Sequence, residues 1–247
     1  MRMILILLAC LWTAPAFADD ADRTIDGRHY RSLTVEPKNS GEASITTIEL
    51  REAGPGIAAI NADLRKVLAE SRKWAAECNS DSLKGILKQP GYFQQGMEPT
   101  WWTDRLLAVS VMTNSTCGGP HPNSDPDYYL WDTTTGKRLA VARWFTAAAL
   151  KTSGGREMQL SPPLKAIVLK HAERARDDDC GEVLRDSDYY LIQPGPAGMV
   201  FVPSLPHVVQ ACADDIVVPY GLLDAFLNGT ARRFIAGPAT PPAARAR

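Results

Sequence analysis

The chain has 247 residues, with 27 Lys and Arg against 28 Asp and Glu for a formal charge of -1. At 45% apolar and 22% charged residues it has the composition of a globular protein, which excludes global disorder, collagen and a coiled coil. The balanced charge supplies no phosphate-binding excess, so nucleic acid is not an expected partner.

The N-terminus reads as an export signal. Arg2 gives the positive end, Ile4 to Trp12 a short apolar core, and Ala16-Phe17-Ala18 a small-x-small cleavage site before Asp19. The apolar run is too short for a lasting membrane span. Residues 1–18 are therefore expected to be removed, leaving a periplasmic or secreted chain without a transmembrane segment. Leu7-Leu8-Ala9-Cys10 offers the alternative of a lipoprotein anchored through Cys10, although it leaves a shorter apolar core than such signals need. Cys78, Cys117, Cys180 and Cys212 then remain. An even number in an exported chain implies two disulfides, with three possible connectivities. Pairing of chain neighbours, Cys78 with Cys117 and Cys180 with Cys212, is expected because each pair brackets one plausible unit. The chain has no C-x-x-C motif, which argues against a zinc ribbon or a thioredoxin-type site.

Residues 19–27 are polar and are expected to be disordered. Residues 28–37 and 43–50 read as strands. A helix follows the Gly54-Pro55-Gly56 turn, with Ile57, Ile60, Leu64, Val67, Leu68, Ser71, Trp74, Ala75 and Cys78 on one apolar arc. Tyr92 to Gln95 is a short strand, and Arg105 to Thr113 is one with two apolar faces, as in a covered central strand. Cys117 to Pro122 is a loop of breakers, Asp127 to Asp132 a strand, and Thr133 to Lys137 a turn. Ser161 and Pro162 open a second helix that ends over Arg176 to Cys180. Strands over Tyr189 to Ile192, Met199 to Val202 and Ile216 to Val218, a short helix over Tyr220 to Leu227, and a disordered Pro/Ala/Arg tail over 236–247 complete the chain. No repeat or linker divides residues 28–235. The fold class is α+β: one domain with a mostly antiparallel sheet and two main helices packed on it.

An ordered series of motifs carries a family resemblance. It runs Trp102-Thr103-Asp104-Arg105-Leu106-Leu107, Gly118-Gly119-Pro120-His121-Pro122, Tyr129-Leu130-Trp131-Asp132, Thr135-Gly136-Lys137 and Trp144-Phe145, then Tyr189-Tyr190-Leu191, Gly198 to Val202, Pro206-His207 and Asp215 to Tyr220. The series resembles a bacterial extracytoplasmic domain of unknown function, found in the ectodomain of a lysozyme-sensing anti-sigma factor and beside a peptidoglycan deacetylase domain. The family core spans residues 102–230, and residues 43–78, with Ala59-Ile60-Asn61, resemble the strand-helix unit that often precedes it. The resemblance implies an extracytoplasmic α+β domain with cell-wall glycan or a lysozyme-like exported protein as partner. Pro120 and His207 depart from the family pattern, which has Ala and Tyr there.

Chemistry is sparse. There is no zinc-helix, nucleophile-elbow or phosphate-loop motif, and no cofactor or metal is expected. Of the four His, His29 reads as exposed and His171 as a core residue on a helix stripe. His121 is the catalytic candidate, in a Gly/Pro loop with Asp125, Asp127 and Asp132 as carboxylate partners for acid–base chemistry. The simpler reading is a loop histidine bonded to backbone near Gly118 and Gly119. Asp177-Asp178-Asp179 lacks the spacing of a calcium loop and reads as a solvated turn that ends the second helix. Trp101, Trp102, Tyr128, Tyr129 and Trp131, with His207, are the binding candidates, since aromatics on an exposed strand face can stack on sugars or anchor a partner. The functional expectation is a non-catalytic envelope binding protein; the alternative is a periplasmic hydrolase using His121.

Overall fold

The computed structural model describes residues 20–85, 88–119, 121–152, 155–173 and 178–235. Residues 1–18, expected to be an export signal, and 236–247, expected to be a disordered tail, lie outside the described residues, as do Pro120 and Asp177.

Six strands form the first sheet in chain order: β1 (Ala21–Ile25), β2 (Arg28–Val35), β3 (Glu42–Leu50), β4 (Tyr92–Trp102), β5 (Leu106–Thr116) and β6 (Asn123–Asp132). β1 corrects the expectation of disorder over 19–27. Asp26 and Gly27 both have positive φ, 51° and 76°, and join Ile25 to Arg28 in a two-residue hairpin. An Asp-Gly pair is a strong signal for such a turn, and here it outweighs the polar composition. β3 and β4 are parallel, while every other neighbouring pair in this sheet is antiparallel. A parallel pair needs a long crossover, which α1 (Pro55–Lys84) provides.

The buried stripe of α1 runs through Ile57, Ile60, Leu64, Val67, Ser71, Ala75 and Cys78. It covers Leu107, Val109 and Val111 on one face of β5. Asn61, which faces the end of β3, accepts the Leu50 N–H and donates to the Leu50 carbonyl, each at 2.9 Å. These bonds fix the helix on the sheet. Trp74 is a correction: it lies on the flank of the stripe and is 57% exposed. The Thr133–Lys137 turn docks on the first turn of the helix. Gly136 (φ 70°) lies so near that an added Cβ would come within 2.4 Å of Ala59 Cβ, so only glycine fits.

A second sheet, with strand order β11-β10-β9-β8-β7, is built from β7 (Leu150–Thr152), β8 (Met158–Leu160), β9 (Tyr189–Pro194), β10 (Met199–Pro203) and β11 (Ile216–Val218). The mostly antiparallel strands of the expected α+β domain are thus divided between two sheets. The largest core lies where Trp101, Leu106, Ala108 and Leu130 of the first sheet meet Tyr190, Ile192, Met199 and Phe201 of the second. β5 is therefore covered on both sides, as its sequence indicates. Leu164 and Val168 of α2 (Pro162–His171), Leu184 of α3 (Asp178–Asp186) and Phe234 of α4 (Gly229–Ile235) pack into the same core. The helix that starts at Pro162 stops at His171 rather than running to residues 176–180. A separate helix, α3, begins at Asp178, and Asp179 in its first turn puts a carboxylate near the positive end of the helix dipole.

Both disulfides join chain neighbours. Cys78–Cys117 ties α1 to the end of β5 with Cα atoms 4.5 Å apart, and Cys180–Cys212 ties α3 to the turn His207–Cys212 with Cα atoms 5.4 Å apart. Among the described residues no helix is long and apolar enough to cross a membrane. The two bridges are compatible with an extracytoplasmic location.

Candidate functional site

A groove of about 470 Å³ opens where the last turns of α1, the ends of β4 to β6 and the segment 205–210 come together. Trp74, Glu77 and Asp81 form the helix wall, recurring once per turn on one flank of α1. Phe93, Thr113, Ser115 and the Cys78–Cys117 bridge also line the groove. The opposite wall carries Asn123, Ser124, Asp125, His207 and Gln210. The disulfide holds the helix end against β5, and the chain beyond Cys117 turns tightly over it. Gly118 has φ 87°, and a Cβ there would lie 2.9 Å from Ser82 Cα. On the far wall, Gln210 Nε2 donates to the Ser124 carbonyl at 3.1 Å and pins the 207–212 turn to β6.

The sequence candidates separate into three groups. Trp101, Trp102 and Trp131 are buried at 8%, 1% and 0% exposure, so they cannot stack on a ligand. Each sits on a strand face that meets a core, and Trp131 Nε1 donates to Asp63 at 2.9 Å. Burial works against that carboxylate, but hydrogen bonds from Arg138 and Trp131 outweigh it and hold Asp63 below its usual range. Tyr129 is half-buried under the Arg138 guanidinium, 4.4 Å from its ring centre. Tyr128 packs against Leu191, Val200 and Val202 of the second sheet. Burial, then the charges of Asp215 and Asp127, push its hydroxyl well above the usual range.

The carboxylates proposed for His121 are engaged elsewhere or distant. Asp125 is held by both terminal nitrogens of Arg156, at 2.5 and 3.3 Å. Asp127 accepts the Tyr128 N–H at 2.8 Å and lies 3.8 Å from Arg156. Burial raises its pKa against the opposing effect of that hydrogen bond. Asp132 accepts the N–H and hydroxyl of Thr134 at 2.9 and 2.6 Å. Burial opposes these bonds, which nonetheless keep it below its usual range. It lies seven steps along the strand from Asp125, roughly 23 Å. His121 is exposed, and no hydrogen bond joins it to another described residue. Its ring lies 6.1 Å from that of His207, centre to centre. His207 Nδ1 lies 3.4 Å from an amide oxygen, Gln210 Oε1. Two exposed imidazoles thus meet at one rim, and among the described residues no carboxylate is hydrogen-bonded to either. Among the described residues no group of three or more potential metal ligands converges. His29 is exposed, and the half-buried His171 donates from Nδ1 to the Ile167 carbonyl at 3.0 Å, in keeping with structural roles.

Sequence reasoning placed Trp74 in the core and so missed the exposed indole on the groove's helix wall. The available signal was its company: Glu77 and Asp81 share its flank, whereas Ser71 and Ala75 sit on the buried line.

The fold is similar to that of two crystal structures of DUF3298 family proteins. One, from Pseudomonas aeruginosa PAO1, is 13% identical with a TM-score of 0.55, over 83% of this chain and 97% of that one. The other, from Bacteroides fragilis NCTC 9343, is 13% identical with a TM-score of 0.51, over 85% of this chain and 94% of that one. At such identity the likeness establishes fold alone. It agrees with the sequence resemblance at the level of an uncharacterised domain. No protein-family model and no curated protein matches the sequence.

Proposed function

We propose that this is a non-catalytic binding protein of the cell envelope, working outside the cytoplasm, whose groove between α1 and residues 205–210 holds a cell-wall glycan. The observation that carries the reading is Trp74. A large indole left 57% exposed on the wall of a groove offers an apolar plane to the C–H face of a sugar ring. Thr113, Ser115, Asn123, Ser124 and Gln210 supply the donors and acceptors that sugar hydroxyls need. A binding role also accords with the dispersal of His121, Asp125, Asp127 and Asp132, which leaves neither imidazole with a hydrogen-bonded carboxylate partner. The two disulfides support an oxidising compartment.

Co-sedimentation with purified insoluble peptidoglycan tests the reading. Wild type is expected in the pellet, and Trp74→Ala is expected to remain largely in solution with an unchanged circular dichroism spectrum. Wild type that stays in solution overturns it.

A further inference from the structure

We infer that the groove selects glycan bearing free amino groups, that is, partly de-N-acetylated amino sugar, over the fully acetylated polymer; the inference rests on the glycan reading above. The argument is the charge of the lining. Glu77, Asp81 and Asp125 line the groove, and among the described residues no Lys or Arg does. The cations nearby contact two of these acids from outside. Lys73 meets Glu77 at 3.6 Å in a pair with both side chains exposed, at 74% and 57%. Such a pair is weak and exchanges readily with a ligand cation. Arg156 engages Asp125 and leaves it the least available of the three acids. Asp81 has no ion pair among the described residues. On the opposite wall His207 stands beside Asp125, with His121 beyond it at the rim.

Glu77 and Asp81 are thus the acids open to a ligand, and both lie on the same helix flank as Trp74. From Trp74 to Asp81 the helix rises two turns, about 10 Å. A sugar stacked on the indole has its ring substituents within reach of one carboxylate or the other. An ammonium group there forms a charge-assisted hydrogen bond that an acetamide cannot match. The same lining disfavours a sugar that presents carboxylate or phosphate at that position, which meets like charge.

The test is isothermal titration of the full mature protein with glucosamine oligomers and N-acetylglucosamine oligomers of matched length, at a pH where the amines are protonated. Wild type is expected to bind the amine form about tenfold more tightly. Glu77→Gln with Asp81→Asn is expected to bring the amine form level with the acetylated one. Glu98→Gln, on β4 and outside the groove, is expected to keep the preference. Equal or tighter wild-type binding of the acetylated oligomer overturns this inference and leaves the glycan reading standing. Binding of neither oligomer overturns both, as does binding of polylysine alone, which would make the groove a site for basic polypeptide.

Discussion

The two halves of the molecule are built differently. The first is a six-stranded sheet of mostly long strands under one 30-residue helix, and its core holds Trp102 and Trp131 almost wholly enclosed. The second is assembled from strands of three to six residues and helices of seven to ten, and it closes against the back of the first sheet. The groove belongs to neither half alone. The first contributes the helix wall and floor, the second the 205–210 segment. The contrast teaches that an aromatic residue's role here follows from which side of the first sheet and helix it occupies. Trp102 and Trp131 lie between helix and sheet and hold the fold, while Trp74 lies just outside that contact and stays exposed.

The largest expected effects separate these tryptophans. Trp131→Ala or Trp102→Ala should lower unfolding free energy by about 3–5 kcal/mol in urea titration, from lost burial and the cavity left behind. Trp74→Ala should change it by no more than about 0.5 kcal/mol. Comparable losses at Trp74 and Trp131 would erase the distinction.

The disulfides compare the halves on equal terms, because they close loops of similar span, 39 and 32 residues. Replacing either pair by Ser should cost about 4 kcal/mol in the chain-entropy description, read as a lower denaturant midpoint. Only the first bridge lines the groove, so a weaker grip on peptidoglycan is expected to accompany loss of Cys78–Cys117.

These differences also explain what was legible in the sequence. The first half announces itself through periodicity: the α1 stripe, the two apolar faces of β5 and the Cys spacing all forecast what is found. β1 was hidden because a strand of alternating charge looks like a frayed end, and only Asp26-Gly27 marks its hairpin. β7 and β8 are three residues each, too short for any period to register. The site was legible in part. His207 and Asp125 were named and do line the groove, and the approach of His121 to His207 depends on tertiary contact that no local pattern encodes. The aromatic strand residues misled because alternation cannot tell a solvated face from one covered by a second sheet.

A smaller effect tests the seating of the helix on the first sheet. Asn61→Ala should cost about 1–3 kcal/mol, since it leaves the Leu50 N–H and carbonyl without their partners. Rescue by Asn61→Asp is expected to be poor, because a carboxylate cannot donate to that carbonyl.

The smallest effects are pH-linked and run in opposite directions in the two regions. Asp63, in the first half, titrates below its unfolded value. Its contribution is present above the ordinary Asp range and is lost as pH falls through the depressed folded pKa. Asp127 and Asp215, at the seam with the second sheet, are raised, chiefly by burial. There the folded state holds more protons than the unfolded one, so stability declines as pH rises from the ordinary Asp range through the raised values. Asp127→Asn should flatten that decline, and Asp63→Asn should remove the acid-side loss, both read as melting temperature against pH.

Calorimetric titration of wild type and Trp74→Ala with solubilised peptidoglycan glycan strands addresses the binding role most directly. The account predicts saturable binding by wild type and at least a tenfold weaker affinity in the variant, about 1.4 kcal/mol, at unchanged stability. Equal affinity of the two proteins, or no heat from either, would contradict it.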